Sequence, residues 1–154
     1  MEESQTERPL GSYGILIAVY ALTFAAPLAV AARHGALPER PRFRDLVLLG
    51  VGTFKLSRLL TSDAVTGVIR APFVRYEGME GVTTPKESPR GTGLRRAVGQ
   101  LLLCPVCTGF WVASLMTTGL VAMPRATRVA AGMLSVAALS DFLQSAHKAA
   151  DDQD

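Results

Sequence analysis

The stretch LLLCPVCTGFW, residues 101–111, holds the only two cysteines of the chain, Cys104 and Cys107, and its single tryptophan, Trp111. A C-P-x-C pair supports three kinds of chemistry. If Pro105 is the first residue of a helix, its missing N–H costs nothing there, and Cys104 becomes the N-cap. The unpaired backbone N–H groups of a helix start favour a thiolate. Cys104 would then attack and Cys107 resolve in thiol–disulfide exchange. The same spacing makes one knuckle of a zinc site, which needs four ligands. The chain adds only His34 and His147, so a second copy would have to supply two more thiolates. In the third reading the motif simply starts a helix at a membrane surface. Gly109 then permits close packing, and Trp111 anchors the helix at the interface as aromatic residues do. This structural reading leads, and no cofactor is expected unless zinc joins a dimer.

Charged residues inside apolar segments are the second group of candidates, because a membrane tolerates them mainly where they function. Lys55, Arg58 and Asp141 fit that description, and Asp63 lies just outside. The simpler expectation is that both cations extend toward the headgroups. The alternative pairs Lys55 or Arg58 with Asp141 between helices. No Ser/His/Asp set and no pair of catalytic carboxylates is evident. Gly50 and Gly52 lie within a helical pattern and cradle no phosphate. The net charge of +3 suits anionic lipid, and there is no aromatic–basic platform for nucleic acid.

The elements that would position these residues follow from hydropathy. The chain is 154 residues long, enough for a single domain, and 19% of it is charged, below the quarter usual in soluble domains. Tyr13–Ala32 runs 20 residues without a charge, and Ala97–Met123 runs 27. A hydrocarbon core of ~30 Å needs roughly 20 helical residues, so both can span. The first run is preceded by three Glu and one Arg. A signal peptide wants the opposite charge there, so the run is expected to be a retained helix, although Ala29-Val30-Ala31 resembles a cleavage site.

Expected helices cover 13–32, with Pro27 perturbing it, then 43–60, 105–122 and 126–147. The second has an apolar centre of only Leu46–Phe54, so either a short span or an interfacial helix fits it. Thr61-Ser62-Asp63 offers caps for a short helix over 64–70, which Pro72 stops. Residues 75–93, rich in Gly, Pro and Thr, read as a flexible loop. In 94–103, Leu94, Ala97, Val98, Leu101 and Leu102 form one apolar face opposite Arg95 and Arg96, as in a helix lying in the membrane interface. Small residues at Gly109, Ala113, Thr117, Ala131 and Ser135 predict that the last two helices pack as a hairpin. Residues 1–12 read as a disordered N-terminal segment and 148–154 as a solvated tail.

Four spans put ten basic residues on the side of the termini and the 61–96 loop, against six on the other. That bias places both termini in the cytoplasm.

Three blocks, FKLSRLLTSD (54–63), IRAPF (69–73) and CPVCTGFW (104–111), resemble a family of small bacterial membrane proteins catalogued as domain of unknown function 1360. Its members include a sporulation-associated protein. The resemblance covers about 55–140, leaves the first helix outside, and supports 43–60 as a true span. Asp63, Arg70, Pro105 and Gly109 lie within these blocks and stand among the candidate residues, and the family implies no established activity. The expectation is an all-α integral membrane protein with about four transmembrane helices plus an amphipathic interfacial helix. Its expected role is that of a non-enzymatic cell-membrane component. The bilayer surrounds it, and it binds a membrane protein or a second copy rather than nucleic acid. The enzymatic alternative is a membrane thiol–disulfide oxidoreductase.

Overall fold

The computed structural model describes residues 10–35, 37, 42–80 and 84–151. The expected disordered segment 1–12 therefore lies mostly outside the described residues, as do 152–154 of the tail. Leu10–Tyr20 (α1) and Ala26–Arg33 (α2) are joined by a π-helical turn, Ala21–Ala25, into one continuous helix. That turn has a local cause. Pro27 has no N–H to donate four residues back. Just ahead of it the ladder widens, and the Ala26 N–H bonds the Ala21 carbonyl five residues back.

Among the described residues, three helices are long and apolar enough to cross a membrane: Gly11–Arg33, Pro105–Ala122 (α6) and Pro124–Asp151 (α7). Phe43–Ser62 (α3) also reaches 20 residues but carries Arg44, Asp45, Lys55 and Arg58. It does not belong to that apolar set. The short helix expected after it is present as a 3-10 turn, Ala64–Thr66, and a single turn of α-helix, Gly67–Arg70 (α4).

The described residues of the expected loop, 75–93, depart from expectation. Instead of a flexible loop they form an antiparallel hairpin, Val74–Glu80 (β1) and Thr84–Pro89 (β2). Val74 faces Pro89 and Tyr76 faces Glu87, with Glu77 as the extra residue of a bulge before Gly78. Neither strand shows the alternating apolar pattern that signals a half-buried strand. Gly78 adopts φ +136°, a backbone conformation that favours glycine. What fixes the hairpin is its neighbours. Gly93–Leu103 (α5) lays Gly99 so close to the base of the hairpin that an added Cβ would lie 2.5 Å from the Phe73 carbonyl oxygen. Arg95 Nε donates to the Pro72 carbonyl at 2.7 Å. On its other flank Gln100 accepts a hydrogen bond from Tyr13 of α1. The polar face of α5, expected among headgroups, is thus partly engaged by the protein itself.

The bundle is organised around α3, which packs against both α6 and α7. Its core is Leu49 with Val112, Met116 and Ala131, surrounded by Leu48, Leu56, Leu60, Leu120 and Leu134. The small residues serve this central helix. Gly52 brings its backbone against Ala131, where a Cβ would meet the Ala131 Cα at 3.3 Å, and Gly109 faces Ser57. The expected α6–α7 hairpin forms as well. It closes at Met123, where Gly119 lies against the Thr127 hydroxyl.

Candidate functional site

Arg70 ends α4 with no exposed surface at all, 0%. A buried guanidinium is tolerated only when its five donors are met. Here Nε donates to Glu87 Oε2 at 2.8 Å and Nη2 to Glu87 Oε1 at 3.2 Å. Nη1 donates to the Leu60 carbonyl at 2.8 Å, the Asp63 carbonyl at 3.1 Å and the Thr66 hydroxyl at 2.7 Å. The last carbonyls of a helix have no partner within it, and Arg70 supplies one for Leu60 near the end of α3. One side chain therefore joins the end of α3, the connector 63–66 and strand β2. Asp63 takes part through its carbonyl, and its side chain caps nothing.

Two charges of α3, Asp45 and Lys55, are paired by α7. Arg128 Nε and Nη2 donate to the two oxygens of Asp45 at 3.0 and 2.9 Å, and Asp45 is buried. Ten residues further along, Lys55 pairs with Asp141. These pairs also fix direction, since α3 and α7 run parallel. Arg58 does not reach Asp141. Its guanidinium lies 5.9 Å from the centre of the Phe54 ring, a cation–π arrangement. Lys55, Arg58, Asp63 and Asp141 all line one groove between the C-terminal halves of α3 and α7. Four of the sequence candidates thus converge, and Lys55–Asp141 takes the inter-helix pairing rather than simple extension toward headgroups.

Cys104 caps α6 as the spacing predicts. Its sulfur accepts from the Cys107 N–H at 3.2 Å, and Pro105 is the first helical residue. The two sulfurs are joined as a disulfide across a Cα–Cα distance of 5.2 Å. Thr108 is buried and its hydroxyl donates to the Leu101 carbonyl at 2.7 Å, which ties α6 to the end of α5. Among the described residues no three His, Cys, Asp or Glu side chains stand together as metal ligands. His147 contacts Asp151. His34 follows α2, which ends away from the cysteines because the first helix runs parallel to α6. Tyr13 meets Gln100, and Tyr20 bonds Ser114 at 2.6 Å.

Trp111 is an aromatic anchor in a different sense from the expected one. Tyr20 stacks on Phe110 at 4.9 Å and meets Trp111 edge-on at 5.3 Å, and Phe24 meets Trp111 at 6.0 Å. The cluster fastens the first helix to α6. Sequence reasoning passed over Asp45, Arg128, Glu87 and Thr66. Asp45 sits among Arg42, Phe43 and Arg44, so nothing local marks its partner 83 residues away.

No solved structure matches the chain. It is similar to "Sporulation protein YjcA" of Bacillus subtilis (strain 168), at 29% identity over 103 residues, covering 65% of this chain and 87% of that protein. It is also similar to "UPF0713 protein YngL" of the same organism, at 27% identity over 111 residues, covering 70% of this chain and 82% of that protein. The model of the family "Protein of unknown function (DUF1360)" matches residues 48–147. That span contains α6, most of α3, the Arg70 lock and all four groove candidates, and the chain belongs to this family.

Proposed function

We propose that the chain is a four-span, non-catalytic membrane component that presents a rigid docking lobe to a protein partner. The observation that carries this is the Arg70 lock. It fixes 63–80 and 84–89 against the end of α3 while leaving Val65, Val68 and Ile69 exposed at 87%, 83% and 60%. A fixed apolar surface beside a bundle is what a partner needs, because little ordering cost remains on binding. Four spans are supported by the direction of the helices. The helix ending in Arg33 and α6 run one way, and α3 and α7 the other, with Asp45 and Lys55 of α3 paired to Arg128 and Asp141 of α7. The bias of basic residues puts both termini and the lobe in the cytoplasm, at the cell membrane. The name of the relative YjcA supports a sporulation-type setting.

A photocrosslinker at Val68 in intact cells tests the docking role. The expected result is one adduct of defined mass that disappears in R70A. Adducts with lipid alone, or none, overturn it, and an adduct of twice the chain mass makes the partner a second copy. Accessibility of a cysteine placed at Glu77 tests the topology, and labelling from outside the cell would reverse it.

The disulfide favours a second reading, thiol–disulfide exchange. A substrate thiolate would attack one sulfur and form a mixed disulfide. The second substrate thiol would then displace it, leaving Cys104 and Cys107 reduced and the substrate oxidised. An electron acceptor of the quinone class would have to restore the pair. If C104S/C107S cells accumulate no reduced substrate thiols, this reading fails. Zinc held by the reduced pairs of two copies is tested by metal content after reduction, and zinc near zero ends it.

A further inference from the structure

The groove between the C-terminal halves of α3 and α7 has a volume of about 910 Å³. Its polarity is graded along the helix axes. α3 is apolar from Leu46 to Phe54 and α7 from Val129 to Leu139, after which both turn polar. Phe54, 58% exposed, closes the apolar stretch of α3, and Phe142, 69% exposed, directly follows Asp141 on α7. Arg58 and Lys148 lie further along the same direction, on facing walls. Lys55 and Asp141 cancel each other. That leaves two cations against Asp63, a surplus of one positive charge. Arg58 has no carboxylate partner among the described residues, so its guanidinium donors stay available beside the Phe54 ring.

We infer that this groove binds one anionic phospholipid, with its phosphate at Arg58 and Lys148 and an acyl chain along Phe54 and Phe142. A guanidinium offers paired donors suited to phosphate oxygens. Basic pockets between membrane helices take lipid headgroups. A free phosphate would leave the aromatic end unused. A zwitterionic lipid brings its own cation against the surplus charge.

The test uses the full chain purified in mild detergent, with bound lipid counted by native mass spectrometry after incubation with phosphatidylglycerol or phosphatidylcholine. One phosphatidylglycerol per chain is expected, retained about tenfold better than phosphatidylcholine. R58Q/K148Q should cut that retention about tenfold. K86Q/R90Q removes the same charge from exposed positions beside the hairpin and should leave retention within about twofold. D63N should raise it, an outcome that misfolding cannot mimic. Equal retention of the two lipids overturns the inference, as does equal loss in both double variants, no loss in R58Q/K148Q, or no gain in D63N. Displacement by inorganic phosphate would assign the site to a free anion and overturn it too.

Discussion

Arg70 carries more of the structure than any other side chain. Removing one partner of a buried ion pair leaves the other uncompensated, at a cost of about 3–5 kcal/mol. R70A should therefore release the hairpin, and tryptic cleavage at Arg75, Lys86 and Arg90 should accelerate at least about tenfold. Unchanged cleavage would show that α5 alone holds the strands. The cysteine pair should behave differently. It closes so short a loop that the chain-entropy gain is about 2 kcal/mol or less, and C104S/C107S should melt only slightly below the parent. Intact chain should take up no maleimide before reduction and two afterwards. At this scale the sequence was legible where chemistry is local. The cap at Cys104 follows from C-P-x-C alone. Glu87 was not legible, because it sits in a Pro- and Thr-rich stretch and its role comes from an arginine 17 residues earlier.

Element boundaries were legible where Pro and polarity changes punctuate the chain. The expected helix 105–122 matches Pro105–Ala122, and 43–60 falls within Phe43–Ser62. The hairpin was missed because its strands are specified by what packs on them and not by their own periodicity. Gly99 shows this most directly. G99A drives a methyl into the Phe73 carbonyl, and overpacking of that kind costs about 1–3 kcal/mol. The expected outcome is faster amide exchange in 84–90 with the α3–α6–α7 core unchanged. The α6–α7 hairpin expected from the small residues forms, but Gly109, Ala131 and Ser135 also turn to α3, since composition marks a close approach without naming the other helix.

At the scale of the molecule, two ion pairs tie α3 to α7, Asp45–Arg128 and Lys55–Asp141. K55D or D141K alone places like charges together and should lower detergent-phase melting stability by about 1–2 kcal/mol. The double swap should recover more than half of that. A swap that recovers nothing would mean that the pair contributes no orientation-specific energy. The overall layout, with parallel and antiparallel helices packed on the charge-bearing helix α3, was only partly legible. Hydropathy ranks α3 as the weakest span, whereas in the fold it is the most contacted helix.

That position has a consequence for synthesis. α3 leaves the ribosome long before α7, and its ionic partners lie 83 and 86 residues downstream. A charged residue at the centre of a spanning helix costs about 2.5–3.5 kcal/mol during insertion. On the four-span reading, α3 waits at the insertion machinery until α7 emerges, and the two enter the lipid together. A nascent chain truncated after Ala122 should therefore leave α3 accessible to water-phase labelling, and restoring 123–151 should bury it. The central helix of this protein is the last to be settled.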